Sequence, residues 1–106
     1  MSDAVQVLLR EVLQGLQQIY GPRLRGVYLF GSHARGEADR ESDVDVLVVL
    51  DRVDRYALEI ARTGDLASSV SLEHDLSISR VFISESEWER GDSVFLRNVR
   101  EEAVAA

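Results

Sequence analysis

The sequence contains no cysteine and no lysine. Without thiols the chain cannot form disulfides, use a thiolate as a nucleophile, or hold zinc through cysteine ligands. All 12 basic residues are arginine, they face 19 acidic residues, and the formal net charge is −7. Because nucleic-acid backbones are bound by clustered Lys and Arg, this balance predicts no direct nucleic-acid binding. Single arginines could still hold an anionic ligand through a bidentate fork.

Long apolar runs are also absent. No segment approaches the roughly 20 apolar residues that a membrane-spanning helix needs. The N-terminal residues do not show a basic segment followed by an apolar one, which a signal peptide would require. We therefore expect a cytoplasmic protein. The length of 106 residues fits one domain, 1–106, in which a small sheet is covered by helices.

The hydrophobic pattern predicts an α/β (α+β) domain. Apolar residues recur at helical spacing from Val5 to Ile19, and this first helix begins at Ser2 or Asp3 and ends before Gly21-Pro22. Residues 24–30, 43–50 and 76–83 are typical of strands, and the middle one is apolar on both faces from Val46 onward, as expected of a central strand.

The remaining segments predict helices. Residues 54–74 form one long helix or two shorter ones, because Gly64 weakens the middle. Ser84 followed by Glu87 matches a capping box that starts a short helix, and Asp92 or Ser93 begins the last helix. The order of elements predicts a small mixed sheet with helices packed on it.

Asp43 and Asp45 stand two positions apart at the start of the middle strand. Because side chains alternate along a strand, both carboxylates project from the same face. Two adjacent carboxylates repel each other and are costly to bury without a counter-charge, which a divalent cation supplies. Mg²⁺ typically takes one or two carboxylates together with waters and phosphate oxygens. Taken alone, the pair is more typical of a solvated strand start or turn.

Gly31-Ser32 follows the preceding strand directly. Glycine lets the backbone pass close to a ligand, and serine offers a hydroxyl and can cap the short helix that we expect to follow. Free N–H groups at the start of a helix attract phosphate. By itself this dipeptide is equally typical of an ordinary turn.

Together the two halves form a recognisable pattern: Gly31-Ser32, ten residues, then Asp43-Val44-Asp45. This pattern resembles the signature of the polymerase-β nucleotidyltransferase superfamily. The segment from Gly31 to Gly36, Gly-Ser-His-Ala-Arg-Gly, is most similar to that of the minimal nucleotidyltransferase (MNT) group. The motif covers residues 31–45, and the predicted order of elements agrees with the family over nearly the whole chain.

The resemblance implies a polymerase-β-like core and a reaction. Members transfer a nucleoside monophosphate from a triphosphate such as ATP to a hydroxyl and release pyrophosphate. By analogy, Gly31 and Ser32 hold the triphosphate, and Asp43 and Asp45 ligate one or two Mg²⁺ ions.

Two further roles stay open. Arg35 could bind the leaving pyrophosphate or could form a surface ion pair with Glu37 or Asp39. A third carboxylate usually comes from a later strand, and Asp75, at the mouth of the third strand, is the candidate. Further inside that strand the sequence offers only serines.

The resemblance also suggests a biological role. Minimal nucleotidyltransferases are commonly antitoxins that neutralise a HEPN-domain RNase, in some pairs by adding AMP to a tyrosine of the toxin. A HEPN toxin is therefore the expected partner, and a second copy of the chain is another. Two alternatives remain: a non-catalytic antitoxin that masks the toxin by binding, and a small-molecule nucleotidyltransferase of the aminoglycoside type.

Overall fold

The computed structural model describes residues 1–106. The elements in chain order are α1 (Asp3–Tyr20), a 3-10 turn (Gly21–Arg23), β1 (Leu24–Phe30), α2 (Ser32–Arg35), β2 (Val44–Leu50), α3 (Tyr56–Arg62), α4 (Gly64–His74), β3 (Ile78–Ser84), α5 (Glu85–Arg90), α6 (Val94–Glu102) and β4 (Val104–Ala105). The predicted mixed α/β architecture is confirmed. Strand β4 was not predicted, and β3 begins at Ile78 rather than at residue 76.

The four strands form one mixed sheet in the order β3-β2-β1-β4. β1 pairs antiparallel with β2 and with β4, whereas β2 and β3 are parallel. β2 therefore lies inside the sheet, and every residue from Val46 to Leu50 is at most 1% exposed. This position explains why β2 is apolar on both faces.

Helices cover both faces of the sheet. On one face α1 and α4 pack over the even-numbered residues of β2 in the larger hydrophobic cluster, which includes Leu8, Leu16, Val46, Val48 and Val70. On the other face α6 contributes Leu96 and Val99 to a smaller cluster with Leu47 and Val49. Because Asp45 shares the parity of Leu47 and Val49, its side chain belongs to the face that α6 covers.

Serine hydroxyls start three of the helices. Ser2, Ser84 and Ser93 accept hydrogen bonds from the backbone N–H groups three residues later, at 3.3, 3.2 and 3.1 Å. The predicted cap by the Ser84 hydroxyl is thereby confirmed, and the other two caps are Ser2 and Ser93 rather than the neighbouring aspartates. Each cap satisfies a backbone donor that the helix itself leaves unpaired.

One of the two alternatives for residues 54–74 is confirmed, and the apolar face of α1 differs at its end from the prediction. Residues 54–74 form two helices with the break at Thr63, whose hydroxyl donates to the Glu59 carbonyl at 3.0 Å. In α1, Ile19 is 40% exposed, and Tyr20 takes the buried position instead. There the Tyr20 hydroxyl donates to Glu59 Oε1 at 2.9 Å, which ties α1 to α3. No helix is both long and apolar enough to cross a membrane.

Candidate active site

The Gly31 bend connects the end of β1 to α2. Its φ is +77°, in the region that side chains rarely adopt, and ψ is −159°. A Cβ at this position would overlap Oδ2 of Asp45 and would lie 3.1 Å from Asp45 Cγ. The bend and the Asp45 carboxylate are therefore in direct contact, and only glycine allows this approach.

The register of the sheet explains this contact. Phe30, the last residue of β1, is paired with Asp45 of β2. The chain must then turn at residue 31 immediately beside the Asp45 side chain. The 12-residue separation between Gly31 and Asp43 is thus closed by antiparallel pairing, which brings the two halves of the motif together.

α2 is a single turn of helix that starts at the bend. The backbone N–H groups of Ala34 and Arg35 both donate to the Gly31 carbonyl at 3.1 Å. Gly31 is the N-cap, so Ser32 is the first helical residue and does not cap α2 as expected. Gly36, with φ +74°, ends the turn in the left-handed conformation.

Asp43 and Asp45 lie at the N-terminal end of β2, where Asp45 contacts the bend. Asp43 directly precedes β2 and is exposed, and Asp45 is half-buried. Burial raises the pKa of Asp45, and the negative charge of Asp43 raises it further, while His33 and Arg35 oppose the shift. Both carboxylates are hard oxygen donors, and the surroundings disfavour the charged form of Asp45, so the donor set fits a divalent cation such as Mg²⁺.

Arg35 forms two ion pairs. Its Nε lies 3.1 Å from Glu37 Oε2, and its NH1 lies 2.7 Å from Glu102 Oε2. The surface pair with Glu37 was one of the two sequence expectations, and Asp39 is not a partner. Glu102 was not anticipated because it lies 67 residues away in the chain, and no local pattern connects the two positions.

His33 and Asp39 shape the loop between the two halves of the motif. The His33 Nε2 donates to the Ser42 carbonyl at 3.1 Å, which ties α2 to the residue before Asp43. Asp39 Oδ1 accepts from the Glu41 N–H at 2.9 Å and from the Ser42 hydroxyl at 3.1 Å. These bonds fix the path of the loop into β2.

Asp75 lies outside the strand that was expected to present it. It ends α4 with φ 52° and ψ 42°, three residues before β3, and its side chain is exposed. The β3 residue paired with Asp45 is Ser79, and the carbonyl of Ser77 accepts the Val44 N–H at 2.8 Å. β3 thus brings no carboxylate alongside Asp45, and the role of Asp75 stays a prediction.

Another group of potential metal ligands lies between α1 and α4. The ligand atoms of Glu11, Glu73 and His74 are within 4.8 Å of one another. The Nε2 of His74 is 2.9 Å from Glu11 Oε2, and this hydrogen bond is the main reason that the pKa of Glu11 is lowered. A structural hydrogen bond between two packed helices accounts for this arrangement.

Residues 9–104 match the nucleotidyltransferase domain family. The chain belongs to this family. Among its relatives, a Methanocaldococcus jannaschii protein whose name proposes protein adenylyltransferase activity is 33% identical over 94 residues, which cover 89% of each chain. This nucleotidyltransferase is also 38% identical over 64 residues to the protein adenylyltransferase MntA of Shewanella oneidensis, covering 57% of this chain and 46% of MntA.

Solved structures share the fold of this nucleotidyltransferase. A structure described as a proposed minimal nucleotidyltransferase superposes with a TM-score of 0.61 at 26% identity, covering 97% of this chain and 95% of the other. A toxin–antitoxin structure with AMP-PNP gives a TM-score of 0.59 at 23% identity, covering 89% of this chain and 68% of the other. The resemblance to minimal nucleotidyltransferases that the motif indicated is thereby confirmed.

Proposed function

We propose that this nucleotidyltransferase transfers AMP from ATP to a hydroxyl group in an Mg²⁺-dependent reaction. The observation that carries the proposal is the contact between the Asp45 carboxylate and the Gly31 bend. A metal-binding carboxylate and a phosphate-binding turn must share one ligand, and here Asp45 and the Gly31 bend are adjacent.

Each residue of the proposed nucleotide site has a distinct role. The Gly31 backbone lets a triphosphate approach closely, the Ser32 hydroxyl offers it a hydrogen bond, and Asp43 and Asp45 hold the metal. Bound Mg²⁺ supplies positive charge that offsets the charge of the phosphates and polarises the α-phosphate. The acceptor oxygen attacks the α-phosphorus, the bond between the α- and β-phosphates breaks, and pyrophosphate leaves.

The acceptor hydroxyl must lose its proton during this reaction. A carboxylate beside the acceptor is the natural base. Asp75 is the proposed residue, although its place after α4 requires the acceptor to lie at the N-terminal end of β3. Replacing Asp75 with Asn tests this role: the proposal requires a loss of transfer with unchanged ATP binding.

The proposed acceptor is a tyrosine of a HEPN toxin. This chain would act in the cytoplasm as a single-domain antitoxin that neutralises the toxin by modifying that tyrosine. Support comes from MntA, named a protein adenylyltransferase, and from a structure described as a tri-AMPylated Shewanella oneidensis HEPN toxin in complex with an MNT antitoxin. That structure matches this chain with a TM-score of 0.59 at 20% identity, over 94% of this chain and 69% of the other.

The test uses the purified protein, ATP, Mg²⁺ and a candidate HEPN toxin from the same organism. We expect the HEPN protein to gain the mass of one or more AMP groups and to lose RNase activity. Asp43→Asn with Asp45→Asn should abolish the mass gain, and Asp54→Asn, which changes an exposed aspartate paired with Arg52, should not. A toxin neutralised without any mass gain would refute the enzymatic proposal.

A second candidate is an antitoxin that acts by binding alone. The serine opposite Asp45 on β3 favours this candidate, because active relatives are expected to carry an acid on that strand. The Asp43→Asn, Asp45→Asn variant separates the two candidates: a binding antitoxin keeps neutralising the toxin, whereas an enzymatic one does not.

A further inference from the structure

The C-terminal end of α6 borders the Gly31 bend. β1 is paired with β2 on one side, where Phe30 meets Asp45, and with β4 on the other, where Leu29 meets Val104. Glu102, the last residue of α6, lies two residues before Val104, and its carboxylate is hydrogen-bonded to Arg35 in the turn that follows the bend. The bend therefore has the Asp45 carboxylate on one flank and the end of α6 on the other.

Glu102 makes the contact between α6 and the bend. Its Oε2 accepts a hydrogen bond from Arg35 NH1 at 2.7 Å, and its side chain is 19% exposed. The other partner of Arg35, Glu37, has a side chain that is 67% exposed. Because solvent screens exposed ion pairs, the pair with Glu102 is the stronger restraint on the Arg35 side chain.

Arg35 connects this ion pair to the Gly31 bend. Its backbone N–H donates to the Gly31 carbonyl at 3.1 Å, and Gly31 in turn contacts Asp45. A continuous series of contacts therefore runs from α6 through Glu102, Arg35 and Gly31 to the proposed metal ligand. No other element on the α6 side of β1 reaches Arg35 through a side-chain hydrogen bond.

We propose that Glu102 is a positioning residue for the nucleotide site: it orients Arg35 and, through Arg35, holds the turn from Gly31 to Gly36 in the conformation that receives the triphosphate. This inference rests on the proposed nucleotide-binding function. On this inference, the nucleotide site is complete only when α6 and β4 are packed against β1, although neither element contains a residue of the motif.

Arg35 can still bind phosphate while it is paired with Glu37 and Glu102. A guanidinium has five N–H donors, and the two ion pairs occupy Nε and one donor of NH1. The NH2 group and the second NH1 donor remain for phosphate oxygens. A held guanidinium loses less conformational freedom on binding than a free one, which is the physical origin of the expected gain in affinity.

The test compares Mg²⁺-ATP binding, measured by calorimetry, between the wild-type protein and its variants. Glu102→Gln keeps the shape of the side chain and removes its charge, and we expect about three- to tenfold weaker binding. Glu102→Asp, a conservative second variant, should weaken binding less than Glu102→Gln. Glu101→Gln is the matched control, because Glu101 is the adjacent carboxylate, is exposed, and makes no ion pair with Arg35.

A double-mutant cycle distinguishes positioning from a general loss of structure. If Glu102 acts through Arg35, Glu102→Gln has little further effect on binding once Arg35→Gln is present. An undiminished effect in that background would overturn the inference, as would wild-type or tighter ATP binding by Glu102→Gln alone. If the wild-type protein itself bound no Mg²⁺-ATP, the proposed function would fail instead.

Discussion

Replacing Gly31 with Ala should damage the site more than it damages the fold. The backbone at φ +77° and ψ −159° lies in a region that is essentially restricted to glycine, so the substitution costs about 1–3 kcal/mol of stability. The new methyl group also overlaps Asp45 Oδ2. The carboxylate must then move by roughly 1 Å or more, and a misplacement of that size at a reacting centre can cost about 10²-fold in rate.

Gly21→Ala is the control for the stability that is lost when alanine replaces a glycine with a positive φ. Gly21 also has a positive φ, +53°, but it lies after α1, and a Cβ there would meet nothing within 4 Å. Both variants should therefore lose stability in thermal or urea unfolding. Only Gly31→Ala should also lose Mg²⁺-ATP binding in calorimetry and AMP transfer in the mass assay.

Two results would refute this reasoning. Wild-type ATP binding by Gly31→Ala would mean that the close approach of Asp45 to the bend is not required. Equal loss of binding by Gly21→Ala would mean that the site responds to overall stability rather than to the position of the carboxylate.

Three further predictions concern stability. Burial, and after it the hydrogen bond to Glu59, raise the pKa of the Tyr20 hydroxyl. The stability that the neutral hydroxyl contributes to the fold is therefore complete below pH ~10 and is lost as the pH rises toward the folded-state pKa. Tyr20→Phe should remove this alkaline dependence in urea unfolding and cost about 1–2 kcal/mol at neutral pH. Leu8→Ala removes a fully buried side chain and should cost about 2–5 kcal/mol, whereas Val7→Ala on the exposed face of the same helix should change stability by less than about 0.5 kcal/mol. Ser84→Ala removes the cap of α5 and should cost about 1 kcal/mol, seen as a lower Tm.

Local chemistry made much of this protein predictable from its sequence. The ends of α1, α5 and α6 depend on capping serines and nearby turn residues, and the buried strand β2 depends on a run of apolar side chains. These signals act over a few residues, so they are readable without the fold. The same holds for the motif at Gly31, Ser32, Asp43 and Asp45, whose residue types and spacing predicted the family that the comparisons confirmed.

Features that depend on residues far apart in the chain were decided by the tertiary structure. Strand β4 is two residues long and exposed, and it exists only because β1 offers an unpaired edge. The pairing of β2 with β3 determines that Ser79, and not Asp75, stands opposite Asp45. The pair between Arg35 and Glu102 joins residues that no local pattern relates, because its geometry is set by how α6 packs on the sheet. The sequence by itself thus predicted which residues bind metal and phosphate, and the packing of α6 and the register of the strands determined which side chains surround them.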